Sequence, residues 1–398
     1  MAEALRDTGW GLNQLGEGVR WDLTTTFVTC SRAWATGMSE EPPCEAATGW
    51  IIGAYVASPS TVAWDPAAES RFLGAVSALP GFRGLELPFI GALHKHDEAW
   101  LLRSLQPDWD IVITLLPGTI AGLRDDPTFG LASTDDAGRG KALMFTAQAR
   151  KAVARLNARA GRRAVLAVEV HSAPRADAGA SSVDAFASSL AELASWDWEG
   201  ARLVVEHCDA LVIEHPPVKG FQTLSDEIRA IQDVNAIAGT SIGMVINWGR
   251  SAIEDRLPDA ARRHVREVRE GGLLSGVFLS GCSATQSRLG PAWADVHLPA
   301  AAEGSHDPAL EPASLLTRQR AADVLREAGE VTDPGFLGLK VAAPRTADLN
   351  LRIATVARSL TVVRAANEDA LQSSPLWGES AAHDSDRQPL VVSLHEPV

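Results

Sequence analysis

The chain has 398 residues, 46% of them apolar, and a net charge of −14. This composition supplies material for a sizeable core and excludes a disordered chain. The spread acidic charge would repel a phosphate backbone, so no nucleic-acid partner is expected.

No run of about 18 apolar residues occurs, which excludes a membrane-spanning helix and makes a membrane partner unexpected. The N-terminus lacks the basic region and apolar run of a secretory signal. The cysteines Cys30, Cys44, Cys208 and Cys282 form no CxxC pair, and a cytoplasmic location fits best. Lysine is scarce (Lys95, Lys141, Lys151, Lys219, Lys340), which draws attention to each one.

Residues 1–48 show no clear periodicity and end in the turn-rich MSEEPPCEAATG. They are expected to form an irregular extension, with Met38 as an alternative start. Strand-like runs follow at 50–59, 84–89, 110–118, 163–174, 202–210, 241–249, 274–281 and 336–344. Helical patterns lie at 67–79, 96–105, 140–161, 182–196, 221–238, 259–272, 312–329 and 348–371, with caps expected at Ser182 or Asp184, at Ser225 and at Asp259. The polar, broken span 373–398 reads as a tail. Strands that each lead into a helix over 49–372 predict a (β/α)8 TIM barrel. An open doubly wound sheet would need a Gly-rich phosphate turn after the first strand, and YVASPSTVAW contains none.

Side chains alternate along a strand, so the large apolar residues assign the face turned to the helices. In 163–174 Leu166, Val168 and Val170 point outward, which leaves Glu169 and His171 inward. The same phasing turns Glu86, Thr114, Glu206, Asn247, Ser280 and Lys340 inward, with small neighbours giving Lys340 room, and sends His207 toward the helices. Loops add His94, His96, Arg250, Glu254, Asp295 and His297, and Trp64, Trp248 and Trp293 lie near strand ends, where aromatic faces stack on sugars. Buried carboxylates are costly unless paired, so their convergence marks either a functional mouth or a salt-bridge network. Arg250 and Glu254, four residues apart, also suit an ordinary helix pair.

The segments GLELPF, VLAVEVHSAP, LVVEHCDA, INWGRSAIE and WADVHLP resemble the xylose-isomerase-like TIM barrels, which include sugar isomerases and epimerases and endonuclease IV. Over residues 50–345 they look more closely like an uncharacterised bacterial family within that superfamily. The resemblance implies a divalent metal held by Glu on strand five, Asp on strand six, His near strand seven and Glu on strand eight. Glu206 matches the first position, whereas Asn247 and Lys340 replace two of the others, and Asp295 with His297 resembles a ligand pair of the superfamily. Candidate metal ligands are therefore Glu206, His171, Asp295 and His297, and the ion would be Mn²⁺, Mg²⁺ or Zn²⁺.

The leading expectation is a carbohydrate isomerase or epimerase that moves a proton beside a carbonyl. Glu206 and Glu169 act as base and acid, Lys340 stabilises the enediolate oxygen, and His171 supports the chemistry. Glu86, Asn247, Arg250, Glu254 and Trp248 bind the sugar. Alternatives are a lyase on keto-sugars, an abasic-site endonuclease, a Lys340 Schiff-base enzyme and a non-catalytic sugar-binding barrel. The small-molecule partner is a carbohydrate, and a homo-oligomer is compatible with the sequence.

Overall fold

The computed structural model describes residues 49–372 apart from 178, 330 and 332–334. The extension at 1–48 and the tail at 373–398 lie outside the described residues. Eight parallel strands, β1 (Trp50–Ile52), β2 (Phe82–Pro88), β3 (Asp110–Thr114), β4 (Val165–Val170), β5 (Arg202–His207), β6 (Gly243–Asn247), β7 (Leu274–Leu279) and β8 (Phe336–Leu339), pair in chain order. Pairing of β8 with β1 closes the barrel.

Around it lie α1 (Pro66–Ser77), α2 (Glu98–Ser104), α3 (Leu116–Asp125), α4 (Asp136–Ala160), α5 (Val183–Ala194), α6 (Leu224–Ala238), α7 (Trp248–Asp255), α8 (Ala260–Glu270), α9 (Arg318–Ala328) and α10 (Leu349–Gln372). Among the described residues, no helix is long and apolar enough to cross a membrane.

Helix α5 illustrates how sequence becomes structure. Phe186, Leu190 and Leu193 recur at helical spacing and are all buried. The Ser182 hydroxyl accepts the Ala185 N–H at 3.1 Å and starts the helix. In α6 the cap is Thr223 rather than Ser225, and Asp259 makes no side-chain capping bond at the start of α8.

Two helices were hidden in runs read as strand. β3 stops at Thr114 and α3 begins at Leu116, because Pro117 fits the first turn of a helix. β6 stops at Asn247, whose Oδ1 accepts the N–H groups of Gly249 and Arg250 at 3.2 and 3.4 Å and caps α7.

The predicted alternation holds toward the carboxyl ends but not at the start of β4, where the register with β3 shifts: Leu166, expected outward, packs on the lumen residues and Val165 joins the outer core. Ile51, Val112, Ala167, Val204, Val245, Phe278 and Phe336 fill the lumen as one apolar layer. One inward step toward the carboxyl ends come Glu169, Glu206, Asn247 and Ser280, and Lys340 follows two inward steps after Phe336. The outward residues Val168, Val170, Val205 and Ile246 join the larger core between barrel and helices.

The small neighbours act differently from expectation. A Cβ on Gly338 would lie 2.2 Å from the Phe278 ring, so that glycine makes room for Phe278. Gly53 makes room for the charged pair, since a Cβ there would sit 2.5 Å from Glu86 Oε2 and 3.0 Å from Lys340 Cγ.

Candidate active site

At the carboxyl ends of the strands Glu86 (β2), Glu169 (β4) and Glu206 (β5) bring carboxylate oxygens within 4.8 Å of one another. All three side chains are buried. Such crowding needs counter-charges, and two are supplied. Lys340, directly after β8, places Nζ 2.5 Å from Glu86 Oε1, and Arg250, in the first turn of α7, pairs with Glu206. His171 Nε2 lies 3.1 Å from the other oxygen of Glu206, and Asn247 Nδ2 is 3.4 Å from its first. Asn247 Oδ1 also accepts the Ser280 hydroxyl at 2.8 Å, so both ends of this amide hold the site in place.

Three carboxyls against two cations leave one carboxyl without a counter-charge, and the geometry identifies it. Neither oxygen of Glu169 has a hydrogen-bond partner. Burial, reinforced by the negative charges of Glu206 and Glu86, raises Glu169 well above its ordinary value of 4.5 and keeps it protonated. Burial alone would also raise Glu206, but Arg250, Lys340 and His171 hold it well below the usual range, as an anion. Burial would lower Lys340, yet Glu86 and Glu206 carry it upward, so it stays an ammonium. His171 is pushed down by burial and is neutral.

Several participants escaped the sequence reading. Tyr55, the chain's single tyrosine, lies in a 3-10 turn (Ala54–Val56) just after β1, with Lys340 Nζ 5.8 Å from its ring centre. Burial raises its phenol, so it remains a neutral hydrogen-bond donor. Lys219, in the loop after β5, pairs with Asp295 in the loop after β7 and lies 3.9 Å from Asp209. Asp295 also accepts from Arg250 Nε at 3.2 Å. Burial would raise Asp295, but Lys219 and Arg250 hold it well below its ordinary value.

Other predicted residues lie elsewhere. Glu254 sits one turn further along α7 than Arg250 and bonds His207 Nε2 at 2.9 Å and the Ala210 N–H at 2.8 Å. It belongs to the helix side of β5 and not to the lumen. Trp248 is fully buried in the core between barrel and helices, because the helix turns its ring outward immediately after Asn247. Trp64 packs at 5.3 Å on His96 and at 5.2 Å on Trp100, and Trp293 covers the Arg256 guanidinium at 5.2 Å. The His94 ring accepts the His96 and Asp97 N–H groups and braces the start of α2.

The predicted metal set is not assembled. Among the described residues, only two groups of three acidic, cysteine or histidine donors lie close enough to share an ion, Glu86–Glu169–Glu206 and His207–Glu254–His264. Asp295 and His297 belong to neither, because Asp295 is turned onto Lys219 and Arg250. His297, 3.3 Å from Asp295, is neutral, burial pushing it down to about 3. At the mouth, two of the three glutamates are already paired with protein cations, so a divalent ion there would have to compete with Lys340 for Glu86 and with Arg250 for Glu206. The ammonium of Lys340 occupies the cation's electrostatic role.

A closed parallel barrel of eight strands with helices around it is a (β/α)8 TIM barrel, and the buried cluster sits at the carboxyl ends of its strands. A putative xylose isomerase from Rhodospirillum rubrum shares this fold with a TM-score of 0.53 and 12% identity, over 80% of this chain and 98% of that one. A D-psicose 3-epimerase is similar with a TM-score of 0.47 and 13% identity, over 76% of this chain and 92% of its own. The chain belongs to the family described as Domain of unknown function (DUF4862), which matches residues 51–355. It is 34% identical over 310 residues to "Uncharacterized protein STM3670" of Salmonella typhimurium strain LT2, covering 77% of this chain and 94% of that protein.

Proposed function

We propose that the protein is a carbohydrate isomerase or epimerase that moves a proton beside a carbonyl group without a metal at the barrel mouth. The observation that carries this reading is one carboxylate cluster in which neither oxygen of Glu169 has a partner while Glu206 is paired with Arg250, His171 and Asn247, an arrangement that favours a protonated Glu169 and an ionised Glu206. Two like groups with opposite protonation can serve as acid and base on one substrate. Lys340 and the phenol of Tyr55 supply a cation and a donor for the developing enediolate oxygen. A base held as low as Glu206 is weak. Arg250 has a second acceptor in Asp295 at 3.2 Å, and movement of its charge onto Asp295 or a substrate hydroxyl strengthens Glu206 as the reaction begins.

The mouth favours an uncharged sugar. Lys340 is matched by Glu86, Arg250 by Glu206 and Asp295, and Lys219 by Asp295 and Asp209. Each of these three cations is matched, which leaves none of them over for a phosphate, and the same pairing and the net charge of −14 disfavour abasic DNA.

Incubation in D₂O with neutral aldoses and ketoses and with their phosphates tests the reading. Deuterium is expected at the carbon beside the carbonyl of a neutral sugar. Exchange only in phosphorylated sugars would overturn the substrate class. No exchange in any sugar, or loss of a substituent from a keto-sugar with no isomer formed, would overturn the reaction itself, the second result pointing to a lyase.

A further inference from the structure

A second buried cluster lies on the helix side of β5, away from the lumen, and the proposed reaction does not use it. His207 (β5), Glu254 (α7) and His264 (α8) bring three donor atoms within 4.8 Å of one another, and all three are buried. We propose that they form a structural zinc site, with His207 Nε2, His264 Nε2 and a Glu254 carboxylate oxygen as ligands.

The outer partners of the two histidines carry the argument. His207 Nδ1 is 2.6 Å from Glu227 Oε2, and Glu227 is itself fixed by the Ser172 hydroxyl at 2.5 Å. His264 Nδ1 is 3.0 Å from Ser251 Oγ. Each ring is therefore oriented through Nδ1 with Nε2 turned to the common centre, the arrangement found around metal-ligating histidines. At that centre, the contacts of His264 Nε2 are too long for hydrogen bonds: Glu254 Oε1 at 3.9 Å and Asp255 Oδ2 at 3.8 Å. Ligand atoms on a tetrahedral zinc stand about 3.3 Å apart, so a small side-chain movement brings the three onto one ion, and since Asp255 Oδ2 is held by Arg263 the fourth position falls to water.

Charge points the same way. The buried Glu227 and Glu254 have no Lys or Arg within ion-pair distance among the described residues. Zinc would take the place of any proton on His207 Nε2, releasing it to solvent. Two imidazoles with a carboxylate suit Zn²⁺ rather than Mg²⁺ or Ca²⁺. The ion would tie α7 and α8 to β5 and so hold the helix that carries Arg250.

The test uses untagged full-length protein, stripped with chelator and then given Zn²⁺ or Co²⁺. One equivalent of Zn²⁺ is expected to bind and to raise the thermal midpoint by about 5 °C, and Co²⁺ is expected to give the visible absorption of a tetrahedral site. Glu169→Gln should retain both responses and His264→Gln should lose both. If His264→Gln fails to fold, Glu254→Gln serves in its place. Absence of binding and absorption in the unaltered chain would overturn the proposal. So would a response lost in Glu169→Gln and kept in His264→Gln, which would place the ion among the mouth glutamates.

Discussion

Lys340→Met is expected to lower the thermal midpoint by about 5–10 °C and to abolish turnover. The ammonium and Glu86 are both buried and lie 2.5 Å apart. Removing one member of a buried ion pair strands the other and costs about 3–5 kcal/mol, enough for a shift of that size in a chain of this length. The loss should be conditional on the stranded carboxylate. Adding Glu86→Gln to Lys340→Met removes that charge, so the double variant should recover most of the midpoint while remaining inactive. Thermal unfolding of the two variants, with turnover measured alongside, separates the contributions. A double variant as unstable as Lys340→Met alone would mean that Lys340 stabilises the barrel by packing over Phe278, 5.1 Å away, and not by charge.

Glu169→Gln is expected to leave the fold intact and to reduce turnover by about 10²–10⁴-fold, the usual contribution of a positioned acid or base. The substitution also has a signature in stability that needs no substrate. Glu169 in the folded protein lies well above its ordinary value of 4.5, so between those two values the folded state holds a proton that the unfolded state has released. Its contribution is complete below about pH 4.5 and is lost as pH rises toward the folded value. Gln has no such dependence. The two proteins should therefore unfold with similar difficulty at pH 4.5, and Glu169→Gln should gain on the unaltered chain above it, by up to about 1.4 kcal/mol per pH unit. Denaturant titrations between pH 4.5 and 8.5 read this directly. Parallel curves for the two proteins would mean that Glu169 is ionised in the fold like an ordinary carboxylate.

Strand alternation made the centre of the site legible in the sequence. Once Val168 and Val170 are assigned to the helix-facing side, Glu169 has only the lumen left, and the same step finds Glu86, Glu206 and Lys340. The logic weakens where a strand ends. Three residues of β1 form strand, and the chain then enters a 3-10 turn, so period-two counting cannot place Tyr55. Asn247 is both the last residue of β6 and the cap of α7, and from there the side-chain period changes from two to 3.6. Arg250 consequently meets Glu206, while Trp248 and Glu254, read as sugar contacts, turn to the core and to His207. The Lys219–Asp295 pair spans two loops 76 residues apart in the chain, and no local pattern encodes such a meeting. The metal ligands suggested by resemblance did not gather because Lys340 and Arg250 bring fixed positive charge where the resemblance implies a divalent ion. The same alternation that placed Glu206 inside sent His207 outside, and the second cluster is built there.

On the proposed mechanism three buried carboxyls share two cations and one proton, and the proton resides on Glu169. Infrared difference spectroscopy of the substrate-free protein at pH 7, comparing the unaltered chain with Glu169→Gln, tests it most directly. The expected result is a carbonyl stretching band of a protonated carboxyl group, above the amide I envelope, that is present in the unaltered chain and missing from Glu169→Gln. A spectrum without that band, or one in which the band persists after Glu169→Gln, would contradict the claim.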